Sequence, residues 1–441
     1  MASSITALFA NLPEGWDIRS LESIATKIRA GGTPSRSKRD YWNGEIPFAK
    51  IDDITRSGGF LTSTSEAITE AGLASSSAWV VPPGAVVLTM YGTIGAAALV
   101  GIPVATNQAI IALLPISGVD STYLLYALTF WGPELRRLNV QSTQKNVNAG
   151  IVRQFPIPIP PLPEQRAIAH VLRTVQQARD RTEQVIAAAR VLKRSLMAHL
   201  FTHGAHPGDL SANEVGRVIT ELGPLPSDWT VLSLSEVQAQ AKYAITSGPF
   251  GSKLGRKDYQ PRGVPVLRGG NLVGGRDIIL DDLVYVSEEK ADELASCIAR
   301  PGDVVVTQRG SLGQAAFIPD GLPFERYVVS QSQMKFTANG SKVLPEFVLY
   351  ALQTDDSLRR IQDSAIRSGV PHINLSMFRA FRIPLPPIPQ QEAIVHSLDA
   401  ANQKMNAEER GWSALEGLFK SLLHDLMTAQ LRVDQIASRF A

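Results

Sequence analysis

Apolar residues recur at alternating spacings of three and four through two long stretches of this chain. The first runs Ile168, Val171, Val175, Ala178, Thr182, Val185, Ala189, Leu192, Leu196. The second runs Ile394, Leu398, Ala401, Met405, Glu408, Trp412, Leu415, Phe419, Leu422, Leu426, with Glu408 the one charged residue in the register. This is the spacing of a coiled-coil seam, so two long helices are expected to pack against each other. The first stretch holds no Pro or Gly from 164 to 201. About 38 residues at 1.5 Å each give a rod of roughly 57 Å. Gly411 and Gly417 interrupt the second stretch. They weaken it by ~1 kcal/mol each, so packing rather than propensity must hold that helix.

Ahead of each seam the pattern is different. Short β-branched runs at Ala85–Leu88, Ile110–Leu114, Val304–Thr307 and Tyr327–Val329 sit between Gly and Pro. They read as strands, with helices expected at Ser121–Trp131 and Pro345–Thr354. The predicted class is α+β: two mixed α/β globular domains separated by two long antiparallel helices.

The two halves are copies. Phe155-Pro-Ile-Pro-Ile-Pro-Pro-Leu-Pro-Glu-Gln-Arg-Ala-Ile-Ala-His-Val-Leu172 returns as Phe381-Arg-Ile-Pro-Leu-Pro-Pro-Ile-Pro-Gln-Gln-Glu-Ala-Ile-Val-His-Ser-Leu398, 226 residues on. Leu12–Trp16 returns as Leu225–Trp229, and Tyr91-Gly-Thr-Ile-Gly95 as Arg309-Gly-Ser-Leu-Gly313. Leu125-Tyr-Ala-Leu128 returns as Leu349-Tyr-Ala-Leu352. A duplicated chain has approximate two-fold symmetry, which suits a two-fold partner such as duplex DNA. The expected divisions are a first front domain at 1–155, a Pro-rich arm and helix at 156–203, a linker at 204–225, a second front domain at 226–383, and a second arm and helix at 384–441. Proline fixes φ, so both arms should be stiff and extended, with Glu164 and Gln390 opening the helices.

Composition narrows the class without naming it. With 441 residues, 44% hydrophobic and 19% charged, the chain should be globular. A net charge of +2 neither demands nor forbids nucleic acid. Cys297 is the only cysteine, which leaves no intramolecular disulfide and fits a reducing cytoplasm. No signal peptide or membrane span is expected.

Catalytic motifs are missing. There is no Asn-Pro-Pro or Asp-Pro-Pro, and no G-x-G-x-x-G after a strand. Gly248-Pro-Phe-Gly-Ser-Lys253 lacks the order of a phosphate loop and reads as a turn, one that would suit a DNA phosphate. Glu288-Glu-Lys290 reads as a solvated helix start. His199, His203 and His206 read as surface residues at a helix end rather than a metal site.

The duplicated Ile157–Gln165 and Ile383–Gln391 motifs, each followed by a long helix, resemble the specificity (S) subunit of type I restriction-modification systems. Leu12–Trp16, Gly31-Gly-Thr-Pro34, Gly248-Pro-Phe-Gly251 and Gln144-Lys-Asn-Val-Asn148 add to the resemblance. It implies a non-catalytic chain whose front domains are target recognition domains, each reading half of a split DNA target. The paired helices would fix the gap between half-sites. The implied partners are double-stranded DNA, two modification subunits that bind S-adenosylmethionine and methylate adenine, and two restriction subunits that use ATP and Mg2+. No cofactor is expected on this chain. A protein scaffold, or a component of a different phage-defence system, remains an open alternative.

If the front loops read DNA, Arg, Lys, Asn and Gln should do it. The candidates are Arg36, Lys38, Arg39, Lys50, Gln144, Lys145 and Asn146 in the first half. In the second they are Lys253, Arg256, Lys257, Arg268, Gln308, Arg309, Arg367 and His372. Ile168, Val175, Leu192, Leu196, Ile394, Leu398, Leu415 and Leu422 are expected to pack helix to helix. The outer faces, with Arg173, Arg181, Arg190, Lys193 and Arg194, are expected to meet partner subunits.

Overall fold

The computed structural model describes residues 12–139, 147–205, 216–273, 275–433 and 435. The chain forms two compact units. One comprises residues 1–183 and 410–441, the other residues 184–409. Each unit therefore holds one front domain, the start of one long helix and the end of the other.

The two units repeat the same sheet plan. In the first, strands Ala25–Ala30, Ile110–Pro115, Val86–Thr89, Ala97–Val100 and Phe60–Leu61 lie side by side in that order. In the second the order is Ile245–Ser247, Gln333–Thr337, Asp303–Thr307, Ala315–Phe317. The other sheet of the first unit runs Glu66–Ile68, Trp42–Ala49, Val104–Thr106, Val80–Val81. Its counterpart runs Val284–Val286, Val264–Leu267, Tyr327–Val329, Ile298–Ala299. In both, the central pair is parallel. Helices Ser121–Trp131 and Pro345–Gln353 cover these sheets, as the residue pattern indicated.

The Pro-rich arms are strands. Pro156–Ile159 pairs antiparallel with Asp17–Ser20, and Arg382–Leu385 with Thr230–Ser233. Ile157 and Ile383 are fully buried beneath these ribbons. The long helices run Leu162–His203 and Ile388–Met427, each starting two residues before the Glu164 and Gln390 positions read from sequence.

Two expectations need correction. Part of the supposed linker is ordered: Arg217–Thr220 and Gly223–Pro226 form a hairpin that buries Leu225. Gly223 (φ +96) makes its turn; Gly and Pro there mark a hairpin rather than a tether. The seam is also not continuous. Ile168, Ile394 and Leu398 are buried, and Val175, Leu196, Leu415 and Leu422 half-buried, but Leu192 is 69% and Val185 44% exposed. Off the seam, Met197, Leu200 and Phe201 are buried in the core of the second unit, and Leu423 and Met427 join the seam residues Phe419 and Leu426 in that of the first. A straight α-helix drifts by ~20° per heptad against a strict seam, so over this length the buried stripe walks around the helix. Among the described residues no helix is long and apolar enough to cross a membrane.

Candidate nucleic-acid interface

What the two halves share is a lock between front domain and helix. Gln165 is 1% exposed; its amide donates to the Gly118 and Pro160 carbonyls and its oxygen accepts from the Asp120 N–H at 2.8 Å. Gln391, fully buried, repeats this with the Lys342 and Pro386 carbonyls and the Leu344 N–H at 2.9 Å. Beside them, the Trp16 indole donates to Glu164 and the Trp229 indole to Gln390, at 3.1 and 2.8 Å. Glu164 and Gln390 thus both accept from a tryptophan, so the exchange of acid for amide keeps the bond. Each side chain then takes a partner suited to its charge: Arg432 for Glu164, Asp228 for Gln390.

A second layer has diverged. In the first unit the Tyr126 hydroxyl donates to Gln176 at 2.7 Å and Arg173 stacks 3.4 Å from the Phe60 ring centre. In the second, 226 positions on, Asn402 donates to the Tyr350 hydroxyl, and Asp399 grips Arg276 through two bonds of 2.6 and 2.8 Å. Burial would push the Asp399 carboxyl up, but the Arg276 fork and the Tyr350 hydroxyl outweigh it and hold it below the usual range.

On this scaffold the front loops carry different chemistry. In the first domain Gly31 lies so close to the Thr106 carbonyl that a Cβ would sit 1.9 Å from it. The loop that follows brings Arg36 over the Trp42 ring at 3.7 Å and into an ion pair with Glu66 at 2.8 Å. Lys50 meets the same carboxylate at 2.6 Å. Burial would raise the Glu66 pKa; the two cations lower it below the ordinary value. Lys38 donates to the Tyr41 hydroxyl at 3.2 Å, and Arg39 is exposed on the same short turn. Arg36, Lys38, Arg39 and Lys50 therefore gather on one aromatic-backed surface. Gln144, Lys145 and Asn146 lie outside the described residues.

In the second domain Lys253, Arg256 and Lys257 are exposed on two consecutive short turns. Arg268 is partly covered and donates to the Asp282 carbonyl. Arg309 and His372 face each other across an antiparallel backbone bridge, with Ile366 bridged to the same histidine. The Gly310 N–H to Pro371 and Ile373 N–H to Gln308 bonds, 3.2 and 2.9 Å, clamp these loops together. An open polar cavity of about 400 Å³ is lined by Gly269, Gly270, Arg309, Gln314 and Gln333, and Arg367 borders an adjoining one. Gln308 is not a surface group: it is 6% exposed and its amide donates to the Gln331 carbonyl at 2.7 Å. Two residues past the last apolar strand position, a glutamine still faces inward, where a backbone carbonyl satisfies it.

The remaining sequence candidates have structural roles. Ser287 caps the helix at Glu288–Glu293, and Arg326 pairs with Glu288 and Asp292. The His199 and His203 rings stack at 4.7 Å on the last turns of the helix Leu162–His203, and His206 lies outside the described residues. The sequence reading passed over exposed apolar residues near the basic loops: Phe250 (66%), Val273 (58%) and Val370 (57%). For Phe250 the signal was available, because a Phe between Pro and Gly in a turn has no strand or helix face to bury it.

A family model for the type I restriction modification DNA specificity domain matches residues 13–189 and again 226–412. The MjaIX specificity subunit of Methanocaldococcus jannaschii is 23% identical over 433 residues, covering 96% of this chain and 95% of the relative. The MjaVIII specificity subunit from the same organism is 23% identical over 322 residues, 72% of each chain. The crystal structure of a type I S subunit from M. genitalium superposes with a TM-score of 0.60 at 16% identity, covering 95% of this chain and 97% of that one. With its domain matched twice, this chain belongs to the type I restriction-modification specificity subunits and carries two DNA-recognition domains.

Proposed function

We propose that this chain supplies DNA sequence choice, and no catalysis, to a type I restriction-modification complex. Each front domain reads one half of a bipartite, asymmetric target. The paired helices set the gap between the half-sites and dock two adenine-methylating modification subunits. S-adenosylmethionine is bound by those subunits, and ATP and Mg2+ by two restriction subunits. The complex works in the prokaryotic cytoplasm.

One observation carries this reading: an identical lock at Gln165 and Gln391 holds two domains whose exposed loops differ. A repeated mount with unlike reading surfaces is what two unlike half-sites require. The basic, aromatic-backed surface around Arg36 and Lys50 supports it, since phosphate contacts position a protein and base contacts specify the sequence.

The test is a methylome of cells expressing this chain with its modification subunit. Methyladenine at a single split, asymmetric motif is the expected outcome. No new methylation, with the partner folded and bound, would sink the reading and favour a protein scaffold.

A further inference from the structure

The second domain exposes an aromatic side chain that the first does not. Phe250 is 66% exposed at the tip of a turn that the chain makes rigid. Gly248 anchors one side: its N–H donates to the Gln333 carbonyl at 2.9 Å, and a Cβ there would lie 1.9 Å from the Ser330 carbonyl. Pro249 restricts the backbone before Phe250, and Gly251 (φ +64) turns it sharply after. The ring is thus held out in water on a turn anchored through Gly248.

Its surroundings identify what it meets. Lys253, Arg256, Lys257 and Arg262 follow within twelve residues, all exposed. None of the four forms an ion pair among the described residues. The one acid in that stretch, Asp258, is turned inward, accepting from the Gly255 N–H at 2.8 Å and lying 4.0 Å from Lys290. Gln333, which anchors Gly248, also lines the polar cavity that Arg309 borders. An exposed apolar ring followed by four exposed, unpaired cations suits a polyanion with an apolar interior, which is the base stack inside a phosphate backbone. In the first domain the equivalent turn is Gly31-Gly32-Thr33-Pro34, and Thr33 donates to Gln108 at 2.5 Å. That loop presents a hydrogen-bonded hydroxyl and no ring.

We infer that Phe250 is a specificity-determining wedge: it inserts at one base step of the half-site read by the second domain. It would select for steps that unstack easily, giving that half-site a preference no hydrogen bond supplies. The inference rests on the DNA-reading function proposed above.

The experiment uses the full chain bound to its modification subunit, with duplexes bearing the motif the methylome yields. 2-Aminopurine is placed at successive steps of each half-site, and its emission and the binding affinity are measured. Beside the rise at each methylation-target adenine, which the modification subunits flip out of the stack, the expected result is a further rise in emission at one step in the half-site read by the second domain. F250A abolishes that rise and weakens binding about ten-fold, the scale of losing one aromatic–base stack. F250W restores both, and the salt dependence is unchanged because no charge is lost. If F250A matches the parent in emission and affinity while sequence-selective binding persists, the wedge is refuted and the proposed function stands. A loss of affinity with no emission change in the parent outside the methylation-target adenines also refutes it, leaving a groove contact. If the parent complex binds without sequence preference, both inferences fall.

Discussion

Gln165 and Gln391 show how little sequence is needed to mount a domain. Each buried amide satisfies one backbone N–H and two carbonyls, of which the Pro160 and Pro386 carbonyls are fully enclosed. Truncating Gln391 to Ala breaks all three bonds and orphans the buried Pro386 carbonyl, and a buried unsatisfied group costs about 1–3 kcal/mol. Allowing for partial relaxation, Q391A should lose about 3 kcal/mol of second-unit stability in urea unfolding. Asp399 gives a pH test. Its folded pKa lies below the unfolded carboxylate value of about 4. Its contribution is therefore complete above that value and lost as pH falls through the folded pKa. D399N should lower stability at pH 7 and flatten the further loss on acidification, read as melting midpoints from pH 7 to pH 3. An unchanged acid slope would mean that other carboxylates dominate.

At the scale of elements, the long helices are ordinary α-helices rather than strict heptad rods. Buried positions cluster near their ends, while the middle carries ion pairs such as Arg179–Glu416 (2.9 Å) and Arg190–Glu409 (2.7 Å). The two leucines predicted as equivalent seam residues should therefore behave differently. Leu398→Ala removes a fully buried side chain and should cost about 2–5 kcal/mol. Leu192→Ala, at an exposed site, should stay within about 0.5 kcal/mol. Gly411 and Gly417 sit in helix with nothing within 4 Å of a built Cβ. Gly→Ala at each should stabilise by up to ~1 kcal/mol, measurable by the same urea titrations. Loss of stability there would show that a neighbour needs the space.

For the whole molecule, the division into units cuts across the order of the chain. The first unit's core includes Phe419, Leu423, Leu426 and Met427, which come from the last helix. Removing residues 410–441 should open that core and abolish protection of the first unit in hydrogen exchange, while residues 184–409 keep theirs. Equal protection in both would show that the first front domain is self-sufficient. Exchanging the front domain before Phe155 for that of a relative should change one half-site of the methylated motif and leave the other intact. A change in both would refute independent reading.

The sequence by itself determined the duplication, the fold class, the long helices and the family, because these rest on periodicity, proline placement and repeated motifs, which are local or translational signals. It also marked Arg36 and Arg309 as basic loop residues, since exposed cations beside Gly and Ser are visible in the chain. Tertiary structure decided the rest. It showed that Leu192 is exposed, because helix drift accumulates over turns and only a partner surface reveals which side is buried. It showed that Gln308 faces inward, because one backbone carbonyl across the sheet satisfies it. It joined Glu66 to Arg36 and Lys50, and Asp399 to Arg276, across separations that no spacing rule encodes. It left Phe250 in water, since burial is a property of what folds around a residue and not of the residue itself.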